Sequence, residues 1–245
     1  MGRAAEADTL SFAGERGNVA EPQDRRTRTM RQSTEVRKER YGTDMARGVA
    51  AKKGVFCLET DQWFRQKDRS SVEPLLRLVE RYCKTRYEHR DVATEGEFKF
   101  FLDKYLAPGY DNFPILYLGF HGWYAEHGED AFVEIGDSTR VSLERLEEWM
   151  TGRCRGRVIY FGACGVMATH GNRLNKFVRN TDAVAVAGYR EEVDWLECAA
   201  LDMLALGQLQ ERAFTKSSIS AFDRELKKTA PGLYRRLGFK LVTKS

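Results

Sequence analysis

The distribution of hydrophobic residues divides the chain at about residue 54. Residues 1–53 carry only scattered apolar side chains, without a sustained spacing of two residues or of three to four. From residue 54 onward, short apolar runs alternate with segments whose apolar residues recur at helical spacing. We therefore expect a disordered basic N-terminal arm over residues 1–53 and a folded α/β domain over residues 54–245.

The alternation within this domain predicts the order of its strands and helices. Strands are predicted at residues 54–59, 87–92, 113–120, 131–135, 157–161 and 183–187. Helices are predicted where apolar residues share one face, at residues 70–82, 94–105, 143–150, 171–180 and 194–210. Strands that alternate with helices are typical of an α/β fold with a mostly parallel central sheet and helices on both faces.

Particular residues mark where three of these helices begin. Thr94 precedes Glu97 by three residues, which is the spacing of a capping box, and Ser142 directly precedes the third predicted helix. Pro74 fits the first turn of the first predicted helix, where a missing backbone N–H costs no hydrogen bond. The side chains expected on inner helix faces include Leu75, Leu76, Leu78, Val79, Tyr82, Leu196 and Met203.

The composition excludes several classes of protein. Apolar residues make up 42% of the chain, too many for a wholly disordered protein, and no apolar run approaches the roughly 18 residues that cross a bilayer. Residues 1–20 contain no apolar stretch of the kind found in secretory signals. The five cysteines have no C-x-x-C spacing, which indicates free thiols. We expect a cytoplasmic protein without a membrane anchor.

The net charge of +4 comes from the N-terminal arm. Within residues 22–40, seven basic side chains stand against three acidic ones, so that the rest of the chain is neutral. A basic segment can bind nucleic acid or an acidic partner, but residues 22–40 contain no aromatic side chain for base stacking. We expect a solvated tail here, with nucleic-acid binding as the less favoured alternative.

Two reactive side chains follow predicted central strands. His121 and Gly122 come directly after the strand at residues 113–120. Cys164 comes shortly after the strand at residues 157–161, and lies 43 residues beyond His121. In open α/β sheets, ligands bind at the carboxyl ends of the strands. If the two strands are neighbours, His121 and Cys164 emerge at the same edge of the sheet.

The motifs Leu-Gly-Phe-His-Gly at residues 118–122 and Tyr-Phe-Gly-Ala-Cys-Gly at residues 160–165 resemble those of the caspase-like cysteine peptidases. This clan includes the metacaspases and the bacterial CHAT proteins, where a Val-Asp pair similar to residues 193–194 opens the helix after the fifth strand. The resemblance covers about residues 54–210 and implies the three-layer caspase-like (caspase–haemoglobinase) fold. Gly162 stands where caspases have Gln, so the chain resembles the wider clan more than a caspase proper.

The resemblance also implies a mechanism without a cofactor or a metal. Cys164 would attack a peptide carbonyl, His121 would protonate the departing amine, and the backbone N–H groups of Gly122 and Cys164 would hold the oxyanion. The implied partners are a protein or peptide substrate and an activating protein. Neither a Walker loop nor a dinucleotide-binding motif is present, and His127 and His170 fit no familiar zinc spacing.

Acidic residues after the first and fifth predicted strands are candidates for substrate binding. They are Glu59 and Asp61 after the first strand and Glu191, Glu192 and Asp194 after the fifth, and they would favour Lys or Arg before the scissile bond. We take Asp61, Glu192 and Asp194 as the substrate-binding residues. Arg190 lies in the same loop and would favour an acidic residue instead. Asp194 fits equally well as the N-cap of the helix that follows it. We expect a preference for basic residues because the acidic candidates outnumber the basic one.

Three interpretations stay open on the sequence. The favoured one is a cysteine endopeptidase that uses Cys164 and His121. The others are a catalytically inactive caspase-like interaction module and a nucleic-acid-binding protein that uses residues 22–40. The structural alternative for Cys164 is that a cysteine near a strand end is commonly a small buried apolar residue. The cysteines expected in the core are Cys57, Cys83 and Cys198. Cys154, which lies between arginines, is expected in a solvated turn.

Overall fold

A computed structural model describes residues 52–60, 70–124, 130–136, 139–169 and 172–244. Most of the expected N-terminal arm lies outside the described residues, as do Asp61, His127 and His170.

Nine strands and seven helices make up the described part of the chain. The strands are β1 (Val55–Glu59), β2 (Tyr87–Asp91), β3 (Ile115–Gly119), β4 (His121–Trp123), β5 (Phe132–Ile135), β6 (Thr139–Ser142), β7 (Val158–Phe161), β8 (Ala185–Tyr189) and β9 (Phe239–Thr243). The helices are α1 (Glu73–Cys83), α2 (Glu95–Leu106), α3 (Leu143–Met150), α4 (Arg173–Thr181), α5 (Trp195–Gln210), α6 (Lys216–Thr229) and α7 (Pro231–Arg236). Within these residues, no helix is long and apolar enough to cross a membrane.

The central sheet has six strands in the order β2-β1-β3-β7-β8-β9. All neighbours in it are parallel except β9, which runs antiparallel to β8. A separate sheet of three short antiparallel strands, β4-β5-β6, is inserted between β3 and α3. The predicted α/β class with a mostly parallel sheet is confirmed.

Helices cover both faces of the central sheet, because successive side chains of its buried strands point to opposite faces. In β3, Leu116 and Leu118 belong to one apolar core, which also takes in side chains of α2, α3 and α4. Ile115 and Tyr117 belong to the other core, which takes in side chains of α1, α5 and α6. The predicted arrangement of a sheet between two helical layers is confirmed.

The predicted helix caps form as the sequence indicates. The Thr94 hydroxyl accepts a hydrogen bond from the Glu97 backbone N–H, while the Glu97 carboxylate accepts one from the backbone N–H of Ala93 at 2.9 Å. Ser142 Oγ accepts a hydrogen bond from the Arg145 backbone N–H at 3.1 Å and begins α3. Both helices therefore satisfy backbone donors that have no partner within the helix.

Several local predictions are wrong. Leu78, Tyr82, Leu196 and Met203 are exposed. On α1 the buried side chains are Leu75, Leu76 and Val79, so Leu78 and Tyr82 lie on the flank of a narrower apolar stripe.

Other elements were not predicted or begin elsewhere. The strand predicted at 183–187 is β8, two residues further along. The sequence pattern did not predict β4, β6 and β9. These strands are stabilised by pairing with strands elsewhere in the chain: β4 and β6 pair with β5, and β9 pairs with β8.

Candidate active site

The candidate site forms where β3 and β7 end side by side. The two strands are parallel neighbours, and Leu118 pairs with Phe161 at their carboxyl ends. His121 and Cys164 follow these ends, and both line one cavity of about 630 Å³. The sequence predicts that His121 and Cys164 emerge at the same sheet edge only if their strands are neighbours, and the two strands are neighbours.

The histidine does not simply end a central strand, as the sequence suggested. Phe120 is buried in one apolar core, and His121 then begins β4 of the small antiparallel sheet. In this sheet His121 lies directly opposite Glu134 of β5. The residue that would act as acid is therefore held by a strand ladder of its own.

Gly122 brings the two motifs into contact. A Cβ built on Gly122 would lie 2.3 Å from the carbonyl oxygen of Cys164 and 2.9 Å from Cβ of Ala163. No real Cβ atom tolerates such a contact with backbone, so only glycine allows β4 to approach the segment that carries Cys164. This close approach is the structural reason for a glycine after the histidine.

The Cys164 thiol is half-buried and bonded to a neighbouring loop. The backbone N–H of Val193 donates to Cys164 Sγ at 3.4 Å. Burial raises the pKa of the Cys164 thiol, the Val193 N–H opposes that shift, and the nearby Glu192 carboxylate adds to it. In this arrangement the sulfur is a protonated thiol at neutral pH and needs a base to become a nucleophile.

The turn after Cys164 depends on a second glycine. Gly165 has φ +65°, a conformation that side-chain-bearing residues rarely adopt. Its backbone N–H donates to the carbonyl oxygen of Glu191 at 3.2 Å. The loop at residues 190–194 is thereby attached to the cysteine segment at two places, through Gly165 and through the Cys164 sulfur.

Aromatic and acidic side chains surround the reactive pair. Trp123, Tyr124 and Trp195 line the cavity and are each partly exposed to solvent. Glu134 and Glu192 also line the cavity. None of the described residues that line it is Lys or Arg. The described lining of the cavity is therefore aromatic and apolar, with acidic and no basic side chains.

The three predicted substrate-binding residues have different positions. Glu192 lines the cavity beside Cys164. The carboxylate of Asp194 accepts hydrogen bonds from the backbone N–H groups of Leu196 and Glu197, both at 3.0 Å, and caps α5. Asp61 lies outside the described residues. Asp194 therefore has the helix-capping role that the sequence indicated as the alternative to substrate binding.

The sequence did not single out Asp202, a buried acid at the cavity. Asp202 is on α5, is fully buried, and lines the same cavity as Cys164. Its carboxylate accepts hydrogen bonds from the hydroxyls of Tyr117 at 2.6 Å and Tyr160 at 2.5 Å, and also from Tyr189 and from Cys198 Sγ at 3.4 Å. Burial raises the pKa of Asp202, and these hydrogen bonds oppose that shift. The sequence feature that could have pointed to Asp202 is a single aspartate within the apolar segment of the helix predicted at residues 194–210.

Glu134 is a second residue that the sequence did not single out. It sits opposite His121 on one side and opposite Arg140 of β6 on the other. Its carboxylate is 3.8 Å from Nε of Arg140. Directly opposite side chains of an antiparallel ladder lie on the same face, so the three side chains form a row across the small sheet. This row depends on which strands pair and in which register, and the sequence pattern did not predict that pairing.

Comparisons with known proteins give the chain a family. The sequence model of DUF6642, described as a family of unknown function, matches residues 52–242. The chain belongs to the DUF6642 family. No curated protein matches it in sequence. Among solved structures, the Drosophila initiator caspase Dronc is similar to it with a TM-score of 0.47 and 10% identity, over 75% of this chain and 76% of that one.

A second group of titratable residues in this DUF6642 chain lies at the edge of the central sheet. Ligand atoms of Glu59, His89 and Asp91 lie within 4.8 Å of one another. The buried Glu59 carboxylate already accepts hydrogen bonds from the Val72 backbone N–H at 2.8 Å and from the Ser71 hydroxyl, and it lies 2.5 Å from His89 Nε2. Burial alone would lower the pKa of His89, but the hydrogen bond and charge of Glu59 raise it. We interpret this group as a structural ion pair.

The other cysteines of this DUF6642 chain have packing roles. Cys57 and Cys198 are buried and Cys83 is half-buried against the same core. The solvated turn expected for Cys154 is wrong, because its side chain is fully buried in the other core. Burial raises the pKa of Cys154 to about 12, although two neighbouring arginines oppose the shift.

Proposed function

We propose that this protein is a cysteine endopeptidase in which Cys164 is the nucleophile and His121 the general acid and base. The observation that carries the proposal is the approach of Gly122 to the Cys164 carbonyl, which joins the two motifs at one cavity.

The proposed reaction begins with transfer of the thiol proton from Cys164 to the imidazole of His121. The thiolate attacks the peptide carbonyl, and the backbone N–H groups of Gly122 and Cys164 would hold the resulting oxyanion. His121 then gives its proton to the amine nitrogen as the C–N bond breaks. Water attacks the thioester with His121 as base, which releases the acid and restores the thiol. No cofactor takes part in these steps.

The proposal includes an activation step. The backbone N–H of Val193 donates a hydrogen bond to Cys164 Sγ, and burial raises the pKa of the thiol. Movement of the loop at residues 190–194 would free the sulfur and open the cavity further. A protein partner or a cleavage event acting on this loop would then control the enzyme. We propose this loop as the regulated element.

The preferred residue before the scissile bond would be basic. Glu134 and Glu192 line the cavity, while none of the described lining residues is Lys or Arg. Carboxylates at the cavity attract a cationic side chain and disfavour an acidic one. Arg190, which the sequence left as an argument for acidic substrates, directs its Nε to the Gly238 carbonyl oxygen at 3.2 Å.

Labelling with a peptidyl acyloxymethyl ketone tests the peptidase proposal. The probe should modify Cys164 in the intact chain, and modification and peptide cleavage should both be lost in Cys164→Ala. Cys83→Ala is the matched control, because Cys83 is a half-buried thiol that does not line the cavity. Equal labelling of the intact chain and Cys164→Ala would refute the assignment of the nucleophile.

The second candidate is a catalytically inactive interaction module. The raised pKa of Cys164 and its bond to Val193 favour it, because both keep the sulfur protonated and covered. On this alternative Cys164 resists the ketone under all conditions, and His121→Ala has no measurable effect on partner binding.

A further inference from the structure

The cavity beside Cys164 reaches a carboxylate that has only uncharged partners among the described residues. Asp202 is fully buried, and its hydrogen-bond donors are three tyrosine hydroxyls and the Cys198 thiol. Burial raises the pKa of this carboxyl group and favours its neutral form, whereas the hydrogen bonds it accepts, and a cation bound beside it, favour the charged form. A buried negative charge without a neighbouring cation is costly unless a ligand supplies one.

Tyr117 connects this charge to the wall of the cavity. Its hydroxyl donates to Asp202 Oδ2 at 2.6 Å, so its proton is engaged and its remaining lone pair can accept. Tyr117, Asp202 and Gly162 all line the cavity. The ring of Tyr117 stacks on Tyr160 with centroids 5.3 Å apart, which fixes its orientation.

Gly162 leaves room for the Tyr117 hydroxyl close to the nucleophile. A Cβ on Gly162 would lie 2.2 Å from Oη of Tyr117. Gly162 is two residues before Cys164, so the hydroxyl sits in the wall next to the segment that carries the sulfur. At this position any larger side chain would displace the hydroxyl or fill the cavity.

We infer that Tyr117 and Asp202 form the inner end of a specificity pocket that selects a side chain ending in a primary ammonium group, as in lysine. This inference rests on the proposed function, since it assigns the cavity beside Cys164 to substrate. The ammonium group donates a hydrogen bond to Oη of Tyr117, and the charge of Asp202 stabilises it from behind. The acidic residues predicted from sequence are secondary to this pair.

The same geometry disfavours arginine. A guanidinium group binds best to two free carboxylate oxygens in a forked arrangement. Both oxygens of Asp202 are occupied by tyrosine hydroxyls, and the cavity wall offers the single oxygen of Tyr117. A compact ammonium group matches one acceptor, so lysine is selected over arginine as well as over neutral residues.

A binding measurement tests the pocket without depending on catalysis. Calorimetry with the full-length Cys164→Ala chain compares acetylated tripeptide amides that end in lysine, arginine or norleucine, which has the lysine carbon chain without the ammonium group. We expect the lysine peptide to bind about tenfold or more tightly than the norleucine peptide, since a buried charged hydrogen bond is at stake. Equal affinities, tighter binding of arginine, or no binding of any peptide would overturn the inference.

Variants assign the selectivity to its residues. Tyr117→Phe and Asp202→Asn should bring the lysine and norleucine affinities together. Tyr160→Phe is the matched control and should keep the lysine preference, because Tyr160 bonds to Asp202 without lining the cavity. Should Asp202→Asn fail to fold, Tyr117→Phe decides: retained lysine selectivity in that variant contradicts the inference.

Ketone labelling of the intact chain separates this inference from the peptidase proposal. Faster labelling of Cys164 by a lysyl ketone than by a norleucyl ketone supports both. Equal rates overturn the pocket assignment and leave the nucleophile in place. Failure of every ketone, combined with selective binding of the lysine peptide, overturns the peptidase proposal and leaves the pocket.

Discussion

Gly122 lies against Cys164, with its Cα so close that an added methyl carbon would stand 2.3 Å from the Cys164 carbonyl oxygen. This contact joins the end of β3 and the start of β4 to the segment that follows β7. It makes the histidine motif and the cysteine motif a single structural unit. The integrity of that unit can be tested apart from catalysis.

Substitution of Gly122 by alanine should separate the two motifs. The methyl group meets backbone on the partner segment, so we expect a loss of about 1–3 kcal/mol in the free energy of unfolding. Urea denaturation measures the loss. Gly96→Ala is the control, because its Cβ would have its nearest neighbour at 3.9 Å and α2 gains a better helix former. Equal stability of Gly122→Ala and the unaltered chain would contradict the contact.

The reactivity of Cys164 should depend on pH in a definite direction. Burial raises the pKa of this thiol above its usual value, so the thiolate fraction rises with pH only in the alkaline range. We expect the rate of modification by iodoacetamide, followed by mass spectrometry, to keep increasing above about pH 8.5. A rate that is already constant between pH 6 and 8 would show a thiolate stabilised in the resting protein, contrary to this expectation.

The Glu59–His89 pair should stabilise the protein more at low pH than at high pH. The partner carboxylate raises the pKa of His89 in the folded state, so the contribution is fully present below the unfolded pKa of histidine. It is lost as pH rises through the raised folded value. Urea denaturation of His89→Gln and the unaltered chain should therefore differ more at pH 5.5 than at pH 8.5. A difference that grows with pH would reverse the sign and reject the pair.

Glu134 should influence His121 as well as the charge of the cavity. If its carboxylate orients the imidazole that it faces across the ladder, Glu134→Gln should lower peptide turnover by about tenfold or more. Arg140→Gln removes the other neighbour of Glu134 and should leave turnover above that of Glu134→Gln. Unchanged peptide turnover in Glu134→Gln would limit this residue to a structural role.

Local patterns in the sequence were sufficient for much of the fold. The capping residues Thr94 and Ser142 act within three residues of their partners, and the apolar run before His121 is buried whichever strands flank it. Errors occurred where burial depends on distant contacts. Leu78 and Leu196 are apolar yet exposed, because the surfaces opposite them are set by how α1 and α5 pack.

The sequence by itself determined the α/β class with its mostly parallel sheet, and it named His121 and Cys164 as the candidate reactive pair. The tertiary structure alone decided that β3 and β7 are neighbours, that Gly122 meets Cys164, and that Glu134 faces His121. It also gathered three tyrosines from three strands around Asp202. Periodicity reports whether a side chain faces the core, whereas strand order and the partner of a buried charge depend on contacts between residues far apart in the chain.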